Sequence, residues 1–490
     1  MTAIWWLRRD LRLDDNLALA TALRASQGAV VPVFVLDPQI LAAPDVGAAR
    51  VHFVMESLRE LDRRLRECGA RLIVRRGQPA QELVRLARES GARLLCFNQD
   101  YEPYARQRDR AVTAALQAEG VHVVACHDRL IAAPDALRSA QGGPFTVYTA
   151  YRRHWLERVL HDPSWTARHN RAGDVHLRPI DPALASLPIP TAAELGFALQ
   201  QTIVPPGEEA AQRLLRSFTQ REATGLRRYH RNRNRLDIEG TSRLAAHLRH
   251  GTLSPRAAAR AALALRARSE DAELRHACEA WLGELAWRDF YTAVLYHHPQ
   301  VLERPYRALF HDFPYRDAPD DWRAWQTGQT GYPIVDAAMR QLNQEGFMHN
   351  RARMIVASFL CKDLLIDYRQ GERYFLQQLA CGDAAVNNGN WQWVAGSSSD
   401  PQPYFRIFNP VTQGRTYDPN GVYIRRYLPE LAALPDAYLH APWELPEREA
   451  QRLGLRLERD YPRPIVDHAA ARERALRVLR AQRARPHDQQ

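Results

Sequence analysis

The first ~125 residues alternate between two hydrophobic periods. Amphipathic stretches with apolar residues every three or four positions predict helices near 15–26, 48–67, 79–90 and 104–119. Between these stretches lie short apolar runs with the length of buried strands. The runs occupy 3–7, 30–36, 71–74, 93–97 and 121–125. This alternation predicts an open, parallel, five-stranded α/β sheet of the Rossmann-like class with right-handed crossovers.

The remainder of the chain has a different pattern. Prolines gather between about 127 and 206, which favours a long connector with some helix around 147–160. From about 208 onward the apolar spacing is three or four and strand signals almost vanish, so this part is predicted to be all-α. It ends in a basic helix and a short polar tail. We therefore expect an α/β domain at 1–127, a connector at 128–206 and a helical domain at 207–490.

Composition narrows the possible functions. The net charge of +11 is compatible with a polyanionic partner or with a general enrichment in arginine. The six cysteines form no CxxC pair, so we predict no metal site. The early charges and the lack of a long apolar run favour a cytoplasmic protein with no membrane partner. The first strand is followed by RRDLRLDD (8–15) and not by GxGxxG, which argues against a dehydrogenase-type dinucleotide site.

The stretch 382–396, GDAAVNNGNWQWVAG, mixes large indoles with asparagines and glycines. It is a poor helix former by composition. Indoles are usually buried, but asparagine side chains are costly to bury without partners. A flat ligand with a polar edge would satisfy both groups. The alternative is a turn anchored by the tryptophans, with asparagines that cap neighbouring helices.

Three further segments carry candidate chemistry. On a helix, 278–291 would bring Trp281, Glu284, Trp287 and Arg288 onto about one third of its circumference. Such a carboxyl between indoles is either half of a helix ion pair or a group able to exchange hydrogen bonds with a ligand. The helix predicted at 348–365 carries Asn350, Arg351, Arg353 and Met354. Within 227–256, Thr241 and Ser242 are either helix N-caps or part of a pyrophosphate seat.

Together these segments resemble the photolyase/cryptochrome family over essentially the whole chain. The resemblance implies a C-terminal helical domain that binds U-shaped FAD, and light-driven repair of cyclobutane pyrimidine dimers in DNA. A blue-light receptor of the cryptochrome type, without repair activity, is the alternative. We expect a monomer. The matching segments are EGTSRL (239–244), WLGELAWRDF (281–290), TGYPIVDAAMRQL (330–342), GFMHNRARM (346–354), GDAAVNNGNWQW (382–393) and YFRIFNP (404–410).

The resemblance also implies roles for individual residues. Glu284 would hydrogen-bond the damaged bases, and Asn387 would lie near the reactive nitrogen of the flavin. The other residues of the dimer pocket would be Trp287, Asn350, Met354 and Trp393, with Arg233, Arg351 and Arg406 on flanking phosphates. The other FAD contacts would be Tyr229, Thr241, Ser242, Arg243, Leu244, Trp281, Arg288, Asn350, Arg353 and Asp383.

The chain departs from the family pattern in three places. Cys381 stands where an aspartate is usual, so Arg353 loses its expected carboxylate partner. Of the three tryptophans that commonly pass electrons to the flavin, only Trp391 matches; Tyr368 and Tyr315 occupy the other positions. Either charge stalls at Trp391 or another tryptophan, such as Trp325, accepts it. Tyr104, Ala105 and Glu303 do not match the folate-contacting residues of the family's folate-binding members. A deazaflavin or a second flavin is therefore as open as methenyl-folate for the antenna chromophore, and so is an empty site.

Overall fold

The N-terminal part is an open parallel sheet. The computed structural model describes residues 1–400, 405–454 and 456–484; Tyr404 and the predicted polar tail beyond 484 lie outside them. The strand order is β3-β2-β1-β4-β5 and every pairing is parallel. This confirms the predicted sheet, although β3 starts two residues later than its apolar run. The strands are β1 (Ala3–Leu7), β2 (Val30–Leu36), β3 (Ile73–Arg76), β4 (Leu94–Asn98) and β5 (His122–Cys126).

Helices cover both faces of this sheet. Trp5 and Trp6 are adjacent in β1 and both are buried, but they belong to two different apolar clusters, because successive strand residues face opposite sides. Buried parallel sheets need this two-sided cover. The helices are α1 (Leu17–Ser26), α2 (Pro38–Leu41), α3 (Ala48–Glu67), α4 (Pro79–Ser90) and α5 (Pro103–Ala118).

From Glu208 onward the described chain is helical, as the spacing predicts, and a π turn at Phe359–Asp363 follows α14. The connector before it carries one longer helix, α6, and two short 3-10 turns. None of these helices, within the described ranges, is long and apolar enough to cross a membrane. They are α6 (Tyr148–His161), α7 (Glu208–Gln220), α8 (Tyr229–Asn232), α9 (Ala245–His250), α10 (Pro255–Ala267), α11 (Ala272–His297), α12 (Pro319–Thr327), α13 (Pro333–Glu345), α14 (Asn350–Ser358), α15 (Tyr368–Gln378), α16 (Ala384–Ala395), α17 (Pro410–Tyr417), α18 (Val422–Tyr427), α19 (Asp436–Leu439), α20 (Glu447–Arg452) and α21 (His468–Ala484).

The expectation that 382–396 is a poor helix is wrong, because it forms α16. The helix begins at the Asp383 cap, whose carboxylate accepts from Val386 N at 3.2 Å, and it ends at Gly396 with φ of +91°. The buried amides find partners outside the helix: Asn387 Nδ2 donates to the Glu372 carbonyl at 2.9 Å, and Asn388 Nδ2 to the Glu372 carboxyl at 3.0 Å. Tertiary packing therefore overrides weak local propensity.

Helix α15 approaches α16 closely at one glycine. A Cβ on Gly371 would clash with the Trp391 ring, so only glycine permits this contact.

The next residue, Glu372, is a buried carboxyl. Burial raises its pKa from 4.5 to about 8, so near neutral pH it is mostly protonated.

A buried ion cluster, which we call the Asp383 clamp, joins the two halves of the molecule. Arg9, just after β1, donates to Asp383 at 2.6 Å, to Glu102 at 2.6 Å and to Asp100 at 3.2 Å. Arg129 donates to Asp383 at 2.5 Å. Burial alone would raise the pKa of Asp383, but Arg129 and Arg9 outweigh it and hold that pKa well below its ordinary value.

A second set of ion pairs extends from the same loop. Asp15 accepts from Arg260 at 2.8 Å and from Ser254 Oγ at 2.7 Å, and Asp128 accepts from both Arg12 and Arg256. The RRDLRLDD segment therefore fastens the sheet to α10 and to the start of α16. It does so at the place where a dinucleotide-binding sheet would carry its glycine loop.

We expect Asp383→Asn to lower the free energy of unfolding by about 3–5 kcal/mol, because it leaves buried Arg9 and Arg129 short of a counter-charge. Asparagine keeps an oxygen that can cap α16, so the change isolates the charge. Urea unfolding of the full chain measures the loss. Asp436→Asn, which breaks an ion pair of 2.7 Å with Arg425 at a 70% exposed carboxylate, is the control and should cost less than about 1 kcal/mol. Equal losses of unfolding free energy in the two variants would contradict the stabilising role of the Asp383 clamp.

We expect Glu372→Gln to stabilise the protein increasingly as pH rises from 4.5 to 8. The carboxyl pKa is higher in the folded state than in the unfolded state, so the wild-type side chain stabilises the fold most at low pH. As pH rises through that window, the free energy of unfolding of the wild type falls by up to about 1.4 kcal/mol per pH unit. Glutamine keeps the acceptor for Asn388 and does not titrate. Thermal unfolding across this pH range gives the difference. The exposed Glu447→Gln is the control, and a pH-independent difference for Glu372→Gln would contradict the buried, protonated carboxyl.

Candidate functional site

Helix α11 carries a carboxyl beside a guanidinium and an indole. The Glu284 carboxylate lies 2.7 Å from Nη2 of Arg233, and both side chains are about a third exposed. Desolvation raises the pKa of Glu284, and Arg233 opposes this only in part. The Glu284 carboxyl is therefore a desolvated polar group that one guanidinium satisfies only in part. The sequence predicted Glu284 for the dimer pocket and Arg233 for a flanking phosphate, but not their pairing, which joins the end of α8 to α11.

Trp287 lies between two tyrosine rings. The Tyr148 ring stacks on it with centroids 3.3 Å apart, and Tyr291 lies at 5.2 Å on a nearly parallel plane. The Tyr148 hydroxyl donates to the Gly283 carbonyl at 2.7 Å, which fixes its ring. Sequence reasoning missed Tyr148, because one aromatic at a helix start gives no signal. A cavity of about 300 Å³ opens here, lined in part by Tyr148, Arg152, His230, Arg233, Glu284 and Trp287.

Helix α14 packs against α16 and contributes polar and sulfur groups. Asn350 is exposed at its first position, and Met354 is half-buried one turn later. The Arg351 guanidinium donates to Asn234 Oδ1 at 2.9 Å and lies 4.3 Å above the Tyr417 ring. These contacts hold the Arg351 side chain in place without using all of its guanidinium N–H donors.

The other predicted contacts lie on α16 and after it. Trp393 is half-buried on α16 and packs against the largest apolar cluster. Arg406 is exposed, and its carbonyl accepts from Lys362 Nζ at 2.5 Å.

Within the described ranges, Arg353 contacts a carbonyl and a thiol but no carboxylate. Its Nε donates to the Met348 carbonyl at 2.8 Å, and its Nη2 lies 3.4 Å from Cys381 Sγ. The thiol contact is weaker than a charge-assisted hydrogen bond. The guanidinium charge is therefore left for another partner.

The segment before α9 differs from one sequence interpretation. Leu244 is the N-cap of this six-residue helix, so neither Thr241 nor Ser242 caps it. Both hydroxyl residues are half-buried. Arg243 takes a left-handed backbone with φ of +53° and pairs with Glu345. The strained backbone turns this segment before the helix starts.

Three predicted residues form apolar walls nearby. Tyr229, Leu244 and Trp281 are all at least nine-tenths buried. Phe218 links two of them, with ring centroids 5.9 Å from Tyr229 and 5.5 Å from Trp281. These residues come from α8, the α9 N-cap and α11, so the helical part builds one wall from distant parts of its sequence.

Arg288 is a buried cation without a close counter-ion. It donates to the carbonyls of Arg129 at 2.6 Å and Leu248 at 3.0 Å, while the Asp289 carboxylate lies 3.9 Å away. Burial lowers its pKa to about 10, helped by the neighbouring Arg129. Within the described ranges, Nη1 of Arg249 is also buried without a partner. Surplus buried donors of this kind suit an anionic ligand.

Two predicted ligand contacts on α16 have structural partners already. The Asp383 carboxylate holds the clamp, and the Asn387 amide donates to Glu372. Sequence reasoning missed Arg9, Arg129 and Glu372, whose charges look like ordinary surface polarity in the sequence. Asp383 and Asn387 are therefore rigidly oriented by protein contacts.

Comparison with known proteins gives a consistent family. Residues 3–168 match the DNA photolyase family and residues 281–481 match the FAD binding domain of DNA photolyase. A deoxyribodipyrimidine photo-lyase of Synechococcus is 43% identical over 95% of this chain and 93% of its own.

Solved structures agree with this. A class III photolyase from Agrobacterium tumefaciens superposes with a TM-score of 0.89 and 36% identity over 99% of this chain and 98% of its own. A cryptochrome from Synechocystis superposes with a TM-score of 0.86 and 30% identity over 97% of this chain and 99% of its own. The predicted family is confirmed: this chain belongs to the DNA photolyase family.

Proposed function

We propose that this protein repairs cyclobutane pyrimidine dimers in DNA with light and FAD. The observation that carries the proposal is the Glu284 carboxyl, whose desolvation raises its pKa beside Arg233 and Trp287 at the mouth of a cavity. A carboxyl group at this place can exchange hydrogen bonds with the polar edge of a pyrimidine. Arg152 and Arg233 line this cavity and are partly exposed, so they supply positive charge of the kind that a DNA backbone needs.

The donor set suits FAD. Arg288 lies 3.9 Å from the Asp289 carboxylate, Nη1 of Arg249 is a buried donor without a partner in the described chain, and Trp281 and Tyr229 supply apolar walls. Arg353, without a carboxylate, can face the polar edge of a flavin. When bound in reduced form, FAD supplies the light-driven electron that splits the dimer and accepts it back afterwards.

The protein residues bind and orient the damaged bases. A dimer is already poorly stacked, so flipping it out of the duplex costs less than flipping normal bases. Trp287 and Trp393 would wall the flipped dimer, and a base that stacks on the covered face of Trp287 displaces Tyr148. Asn350 and Met354 would contact its other edges. Arg233, Arg351 and Arg406 would hold the flanking phosphates and set the register.

The N-terminal sheet would hold a second chromophore. Its strand order reverses at β1, and open α/β sheets bind ligands at the carboxyl ends of strands where this happens. Asp37 at that edge accepts from the Tyr104 hydroxyl at 2.5 Å. A deazaflavin, a second flavin and methenyl-folate remain the candidates. The division at 127 and 206 would then separate light collection from repair.

We expect Glu284→Ala to lower the quantum yield of repair about fivefold, the factor that one lost hydrogen bond of about 1 kcal/mol gives. Glu284→Gln keeps a donor and should lose less. FAD content should be unchanged in both. The measurement uses a dimer-containing oligonucleotide and reduced protein, in blue light and in the dark.

The same assay tests the function itself. Restoration of the oligonucleotide in light and not in the dark supports repair. No restoration by wild type would contradict repair and favour the receptor alternative. A wild-type yield in Glu284→Ala would leave repair intact but refute the role of the carboxyl.

We expect Arg351→Ala to weaken binding to damaged and undamaged DNA by the same factor, because phosphate contacts carry no information about damage. The slope of log K against log salt should fall by about one. Binding titrations at several salt concentrations measure both. Arg66→Ala, an exposed arginine paired with Asp62 on α3, is the control and should change neither. A loss confined to damaged DNA would make Arg351 a base-reading residue.

A further inference from the structure

The segment 405–408, which carries Arg406, forms no helix or strand. In the part of the chain that the structure describes, none of its backbone groups hydrogen-bonds to another backbone group. Two buried side chains hold it instead. Phe408 N donates to Ser358 Oγ at 3.3 Å, and Lys362 Nζ donates to the Arg406 carbonyl at 2.5 Å. The segment is therefore fastened from the interior, at the end of α14 and on the π turn that follows it.

Lys362 is the only lysine in a chain whose other basic side chains, apart from histidines, are all arginines. It is 1% exposed, and its ammonium lies 4.5 Å from the centroid of the Phe405 ring. A compact ammonium can donate to one carbonyl and face one ring. The planar fork of a guanidinium at the same place would bring five N–H donors that need acceptors. This buried position therefore suits lysine and not arginine.

The charge of Lys362 depends on the segment 405–408. Within the described ranges, no carboxylate forms an ion pair with Lys362. The adjacent Asp363 carboxylate lies 2.5 Å from His468 Nδ1 of α21, and Arg474 of α21 donates to the Asp363 carbonyl at 2.5 Å. A buried cation without a paired carboxylate is costly unless other groups stabilise it. The Arg406 carbonyl and the Phe405 ring are the groups that do so here.

The ammonium can lose its proton in an accessible pH range. Burial lowers the pKa of Lys362 to about 8, although Cys361 and Asp363 raise it. The side chain is therefore mostly charged at pH 7 and mostly neutral at pH 9. A neutral amine donates a weaker hydrogen bond and has no cation–π attraction. The other titratable or charged groups around the turn are Cys361, Asp363, Arg406, His468 and Arg474.

Arg406 belongs to a group of three arginines. Burial lowers the pKa of Arg351, and the nearby positive charges of Arg233 and Arg406 lower it further. The Arg406 side chain is exposed, and its guanidinium lies 5.4 Å from the centroid of the Phe408 ring. These are the three arginines proposed above to hold flanking phosphates. A shift of the segment 405–408 would move one of these contacts relative to the other two.

We propose that Lys362 is a positioning residue for DNA binding, which holds the segment 405–408 from the interior and so sets where Arg406 meets a phosphate. The inference rests on the proposed function, which supplies DNA as the partner of Arg406. Lys362 is too deeply buried to touch DNA itself. Its effect on DNA binding must therefore pass through Arg406.

Binding titrations of the holoenzyme with a dimer-containing duplex test this dependence. We expect Lys362→Met to weaken binding about fivefold and to lower the slope of log K against log salt by up to about one, as loss of one phosphate contact does. In an Arg406→Ala background, Lys362→Met should have no further effect, because the two residues act as one unit. Arg474→Met is the matched control. It also removes a cation that donates to a carbonyl at this turn, and it should leave DNA binding unchanged.

The pH profile of binding gives a signature that a general loss of stability would not. In wild type, affinity for the duplex should fall about fivefold between pH 7 and pH 9, as Lys362 loses its proton. This fall should be absent in Lys362→Met and in Arg406→Ala. The comparison of wild type with Arg406→Ala applies even if Lys362→Met does not fold.

Trypsin measures the hold on the segment without DNA. Cleavage after Arg406, quantified by mass spectrometry, should be at least about tenfold faster in Lys362→Met than in wild type, because a loosened segment opens more often. Arg474→Met should be cleaved there at the wild-type rate.

The outcomes separate this inference from the proposed function. Equal losses of affinity from Lys362→Met with and without Arg406, or a flat pH profile in wild type, would overturn the positioning role and leave repair intact. If wild type binds no damaged DNA, the proposed function fails. The rate of cleavage after Arg406 then decides alone whether Lys362 holds the segment, and an unchanged rate would overturn that too.

Discussion

The structure depends on one buried carboxylate, that of Asp383. It caps the helix that carries Asn387, Trp391 and Trp393, and it accepts hydrogen bonds from two arginines on the other half of the chain. An ionised group in such a place is costly unless its partners are well aligned. The alignment fixes α16 relative to the sheet, and with it the side chains that would contact flavin and dimer. The Asp383 clamp thus couples the two halves through electrostatics, beside an apolar cluster in which Phe53 of α3 meets Ala246 and Ala380.

Around this clamp, helices carry several of the chemistry-bearing side chains. Glu284, Trp287 and Arg288 share α11, which spans 26 residues, and α16 packs along it. Rigid elements hold hydrogen-bond donors and rings in register, so little rearrangement is needed when a ligand arrives. Tyr148 is different, because its ring covers a face of Trp287 on which a base could stack. The site therefore combines fixed donors with one replaceable aromatic contact.

The sequence predicted the sheet, the helical part and the family, because hydrophobic periods and long motifs are local signals. It could not predict α16 as a helix, since its stability comes from Glu372 and Val301, which satisfy the asparagines. Nor could it find the partners of Asp383, because Arg9 is 374 positions away in the sequence. Pairings over such distances leave no periodic trace. Trp322 and Trp325 are only three positions apart on α12, but the stacking of their rings depends on side-chain geometry that a sequence pattern does not record.

The separation of Arg9 from Asp383 also has a consequence for how the chain is made. During synthesis all five strands leave the ribosome long before residue 383 does. Arg9, which follows β1, therefore lacks the Asp383 carboxylate until the C-terminal half has been made. Until then, Arg9 has only Asp100 and Glu102 as partners, and the side of the cluster that Asp383 completes stays open to water. Docking of the helical half must therefore accompany the last stage of folding. The N-terminal half therefore completes its structure only when the C-terminal half packs against it.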